Sequence, residues 1–117
     1  MKGAGRLNNR VVIERKNENA TPDAGGQVDW TLDSNWRIAC HRWCEIVPKG
    51  SREFLRLYQV TDEITHGVKF RYDQESRKFK TSWRVKIGTR VLNIAGPGID
   101  PDERHEYLIF PAIEVEA

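Results

Sequence analysis

Apolar side chains recur along most of this chain at every second position. In "RVVIER", Val11 and Ile13 fall on one side of an extended segment, with Val12 and Glu14 on the other. "VDWTL" (28–32) and "WRIACHRWCEIV" (36–47) carry the β-branched and aromatic residues that suit a pleated, half-buried surface, so both are predicted as strands. "THGVKFRY" (65–72) alternates too: Val68, Phe70 and Tyr72 share one face, and Lys69 and Arg71 the other. His66 has the phase of the apolar set, which suits a capping or hydrogen-bonded core residue.

Turn formers punctuate these runs at "TPDAGG" (21–26), "PKGS" (48–51), "KIGTR" (86–90) and "AGPGIDPDE" (95–103). The pattern predicts an all-β protein, a small barrel of about six or seven antiparallel strands, with a long connection in the middle of the chain. Val11, Ile13, Trp43, Ile46, Val68, Phe70, Val85, Ile87, Ile94, Leu108 and Phe110 are the expected core. Within the connection, "SREFLRLYQV" (51–60) reads equally as an extended loop or as a short helix capped by Ser51. It is too apolar for a solvated loop, and Phe54, Leu55, Leu57 and Tyr58 need a partner surface, while Arg52, Glu53 and Arg56 offer charges to align it.

At 117 residues the chain is expected to form one domain, with residues 1–9 as a possible flexible arm. Nineteen basic side chains against seventeen acidic leave a net charge of +2, so any basic site must be local. No apolar run approaches the ~18 residues of a membrane span, and "MKGAGRLNNR" lacks the apolar centre of a signal peptide. No membrane association is expected, and the chain reads as cytosolic.

Candidate chemistry is sparse. Cys40 and Cys44 lie in one predicted strand, their Cα atoms roughly 13 Å apart at ~3.3 Å per residue, too far for a disulfide. They share a face that His41 does not, which argues against a zinc site with His66 or His105. No nucleophile elbow, paired-histidine metal motif or phosphate-cradling glycine loop is present, so neither an enzyme nor a cofactor is expected. The alternative is a monomeric OB-like or SH3-like barrel that binds single-stranded nucleic acid. Base stacking needs aromatics exposed beside basic groups, whereas Phe70 and Tyr72 alternate with Lys69 and Arg71.

Several stretches, taken in order, resemble the phage head-tail joining family of head-closure, stopper and connector proteins. "GRLNNRVVIER" resembles its opening, through Gly5, Leu7 and Arg10. "DAGGQVDW" resembles its Gly-Gly turn and following tryptophan, and "WCEIVPKGSREF", from Trp43, its Trp-Ala-x-Ile-x-Pro element, with Cys44 in place of the alanine. "THGVKFRY" resembles its Thr-His strand through Thr65, His66, Arg71 and Tyr72, and "RVKIGTRVLNI" and "HEYLIF" its closing hairpin and last strand. The resemblance implies a virion structural protein, assembled in the host bacterial cytoplasm as a ring of about twelve or six copies at the head-tail interface. The ring would lie below the portal or adaptor, close the DNA-filled head, dock the tail or tail terminator, and surround packaged double-stranded DNA without sequence preference. It further implies that the 52–58 segment reaches toward the channel or a neighbouring subunit, and that Lys69 and Arg71 face a neighbour or DNA.

Overall fold

The computed structural model describes residues 7–48, 50 and 63–115. Six strands carry the alternating runs: β1 (Asn9–Lys16), β2 (Trp36–Pro48), β3 (His66–Arg71), β4 (Arg84–Ile87), β5 (Arg90–Ile94) and β6 (Tyr107–Val115). They close into a barrel in the order β1-β2-β3-β6-β5-β4, every pair antiparallel. Among the described residues the only helical elements are three single 3-10 turns. Closure gives every strand a neighbour on both sides, although β2 meets β3 only over Cys44–Pro48 and β1 meets β4 only over Val12–Glu14.

The inner phase is as apolar as the alternation requires. Val11, Ile13, Cys44, Val68, Phe70, Val85, Leu92, Ile94, Phe110 and Ala112 are buried together, and burial of each large side chain contributes at most ~1.5 to 3 kcal/mol. Phe70 meets Phe79 and Phe110 edge to face, with centroids 5.0 and 5.9 Å away. Gly88 (φ +59°) makes the β4–β5 turn in the left-handed region that favours glycine. Beyond β5, residues 95–99 continue along β6: the Ala95 N–H donates to the Pro111 carbonyl (2.8 Å), and Ile99 and Ile109 exchange both backbone bonds. This path runs so close that a Cβ on Gly98 would stand 2.7 Å from Phe110 Cζ.

Three expectations are corrected. Residues 28–32 form no strand, because the Asp29 carboxylate accepts from the Thr31 N–H (2.9 Å) and hydroxyl, and the Asp29 carbonyl accepts from the Leu32 N–H, bending the chain into a turn. Trp43 is not core: it has the outward phase of β2, opposite Cys44, and is 51% exposed. Lys69 does point away from the Val68–Phe70 face but is only 8% exposed; its ammonium lies over the Tyr107 ring (4.7 Å) and 3.8 Å from Glu45. Ile46 and Ile87 are half-buried against the core, and the other expected core residues are buried.

Candidate assembly surface

Charged groups fix the ends of the strands before any surface is left for a partner. At the start of β3 the Thr65 N–H donates to the Ala112 carbonyl (3.0 Å), and Thr65 Oγ1 accepts from the Glu114 N–H (2.7 Å). His66 Nδ1 lies 3.0 Å from that hydroxyl and 3.7 Å from the Glu114 carboxylate. Glu114 is in turn gripped by both arms of Arg90 (2.9 Å each), which hold its carboxyl below the usual range. Thr65 and His66 thus join β3 to β6. His66 is a strand-end residue in half-buried surroundings, in line with its expected phase.

At the other end of β3, Arg42 projects on the inner phase of β2 and reaches Asp73 (2.8 Å), Glu75 (2.7 Å) and the Arg71 carbonyl (3.0 Å). Asp73 and Ser76 bond each other's backbone N–H, and Ser76 Oγ also donates to the Arg71 carbonyl (2.8 Å). Burial pushes the Asp73 carboxyl up, but the Ser76 N–H and Arg42 outweigh it and hold the group below its ordinary value. Tyr72 packs against the core and stacks on His105 with centroids 4.7 Å apart.

A third network anchors the 17–35 excursion between β1 and β2. Buried Arg84 bonds Glu14 (2.7 Å) and Asp33 (2.9 Å) and lies over the Trp36 ring (4.3 Å), while Trp36 Nε1 donates to the Trp30 carbonyl (2.8 Å). Sequence reading missed Arg42 and Arg84 as organising residues. Each has carboxylate partners about 31 to 70 positions away, a distance over which no local spacing gives a signal.

The outer face of β1 and β2 is left open. Arg10 pairs with Trp43 across the strands, its guanidinium 5.6 Å from the indole centre. Arg71 is exposed on β3, one position beyond the Cys44–Phe70 pair. On β3 and β6, by contrast, the outward residues Gly67, Lys69, Ile109 and Pro111 are all buried. Arg10, Trp43 and Arg71 are thus exposed on three consecutive strands of the barrel, while Lys69, on the same outward face opposite Glu45, is covered. Gly5 and the segment Arg52, Glu53, Phe54, Leu55, Arg56, Leu57, Tyr58 lie outside the described residues, and Leu7 is half-buried before β1.

Cys44 is fully buried and Cys40 packs partly against the core, their thiols pushed up by burial to about 12 and about 11; His41 is exposed. The described residues hold no group of three or more metal-ligating side chains and no helix long and apolar enough to cross a membrane.

The family model for phage head completion proteins matches residues 3–115. The chain belongs to that family. It is a structural protein of the phage head and a component of the virion. Among curated proteins nothing matches. The fold is shared with a protein of Shigella flexneri 2a solved in solution, 23% identical over 97% of this chain and 96% of that one, with a TM-score of 0.64. It is also shared with a chain in the virion of a native gene transfer agent particle, 22% identical over 94% and 96%, TM-score 0.57. For this family member, the site that matters is a surface for assembly, and the exposed Arg10–Trp43–Arg71 row is the candidate.

Proposed function

We propose that this protein forms a homo-oligomeric ring at the head-tail interface, below the portal or adaptor, where it closes the DNA-filled head and receives the tail or its terminator. The observation that carries the reading is the open β1–β2 face of a closed barrel in a head completion protein. Each strand has a neighbour on both sides, so contact between copies is assigned to faces and loops, and a half-exposed tryptophan under Arg10, with Arg71 exposed on the next strand, is an interface composition. The apolar segment 52–58 is assigned a second contact, toward the ring axis or a neighbouring subunit, on its composition alone. Packaged duplex DNA would pass through the channel without being read in sequence.

Phe70 is fully buried and Tyr72 packs against the core, which supports the ring over a barrel that stacks bases on this strand. The test adds purified protein to portal-bearing, DNA-filled heads and images the vertex by electron microscopy. A ring of density beneath the portal, with retention of DNA, is expected. Failure to bind the vertex, together with monomeric behaviour and single-strand affinity that falls steeply with salt, would refute the reading.

A further inference from the structure

The excursion beyond one end of the β1–β2 ribbon is acidic, past Arg15, Lys16 and Arg37 at the strand ends, and the other end of the ribbon is basic. The 17–35 excursion holds Glu18, Asp23, Asp29 and Asp33 and has no lysine or arginine. Its shape is set in advance: Asp23 closes a turn on the N–H groups of Gly25 and Gln27, Asn35 Nδ2 donates to the Asp29 carbonyl (2.7 Å), and Arg84 ties down Asp33. Leu32 stands 50% exposed on it. The other end holds Arg10, Trp43 and Arg71, all exposed.

From Arg10 to Lys16 the strand covers about 20 Å at ~3.3 Å per residue. The acidic, leucine-bearing end therefore cannot fold back onto the basic, tryptophan-bearing end of its own chain. Two copies in head-to-tail order can bring them together, and such a heterologous contact is the kind that closes a ring.

We propose that the acidic excursion of one copy docks on the Arg10–Trp43–Arg71 row of the next. The inference rests on the ring reading and says which surfaces make the ring. Charge complementarity sets the register, and Leu32 meeting Trp43 supplies the apolar centre. Duplex DNA is the less favoured occupant of the row, since phosphates are met by cations, hydroxyls and backbone N–H groups and gain little from an indole.

A charge swap tests the contact. One variant carries Arg10→Glu and Arg71→Glu; the other carries Glu18→Lys, Asn19→Lys and Gln27→Lys, three exposed positions that leave the turn-forming aspartates in place. Circular dichroism and one-dimensional NMR check that each is folded, with Arg10→Gln/Arg71→Gln as a milder substitute. Sedimentation and vertex imaging then follow assembly alone and on portal-bearing heads. Each variant by itself is expected to fail to form rings, a mixture of the two to restore them as an alternating ring, and Trp43→Ala to raise the concentration needed by at least about tenfold. Normal rings from either charge variant would overturn the docking surface while leaving the ring reading intact. Intact rings that lose salt-dependent retention of duplex DNA in the arginine variant would overturn it in favour of a DNA-facing row. If the unaltered protein forms no ring under either condition, the ring reading falls and this inference falls with it.

Discussion

Phe70 and Lys69 are adjacent on β3, and both are buried for different reasons. Phe70 is enclosed by Phe79 and Phe110, so Phe70→Ala opens a cavity and is expected to cost ~3 to 5 kcal/mol in urea unfolding. Lys69 lies against Tyr107 and near Glu45, so Lys69→Ala is expected to cost about 1 to 2 kcal/mol, above the ~0.5 usual for a surface site. A Lys69→Ala variant as stable as the parent would mean that its burial contributes nothing. The thiol of Cys44, raised to about 12 by burial, is expected to resist iodoacetamide at pH 8 in the folded protein and to react once the chain is unfolded in urea. Rapid labelling of native protein, mapped to Cys44 by mass spectrometry, would contradict this.

Two connecting elements carry their own predictions. In the turn after β3, the Asp73 carboxyl is held below its unfolded value of ~3.9. A depressed carboxylate contributes stability that is present above the unfolded value and lost as pH falls through the folded one. The urea midpoint of the parent should therefore exceed that of Asp73→Asn at pH 6, and the gap should narrow below about pH 4; a gap unchanged down to pH 2.5 would exclude this carboxylate as the cause. In the β5–β6 connection, Gly98→Ala forces a methyl to within 2.7 Å of the Phe110 ring. The expected cost is ~1 to 3 kcal/mol, with faster hydrogen exchange at the Ile99 and Ile109 amides that join the connection to β6. Undiminished protection there would show that the loop can shift without breaking the pair.

For the whole molecule, closure of the barrel separates folding from assembly. The inner face is complete in one chain, so the barrel is expected to survive changes that abolish assembly. Replacing residues 52–59 by a Gly/Ser linker is expected to leave the barrel folded by circular dichroism, yet to give heads that leak DNA or fail to join tails when the variant is supplied to phage lacking this protein. Normal infectious particles would remove any assembly role from that segment.

The sequence by itself determined the class of fold, most of the core and the places where the chain turns, because these follow from short-range rules. A period of two assigns Val11 with Ile13 and Val68 with Phe70 whatever the rest of the chain does, and Gly88 marks a turn that favours a left-handed residue. The ordered series of short motifs also pointed to the family. Periodicity sets the relative phase of side chains within a strand but not which phase faces inward when both carry apolar residues. Trp43 and Ile46 have opposite phases on β2, so they could not both face the interior, and pairing with β1 and β3 decided for Cys44 and Ile46. Only the tertiary structure turned Trp43 outward beside Arg10, covered Lys69, and brought Arg42 and Arg84 to carboxylates far away in the chain. Those placements depend on closing the barrel, which joins β1 to β4 and β3 to β6 through contacts that no local window of residues contains.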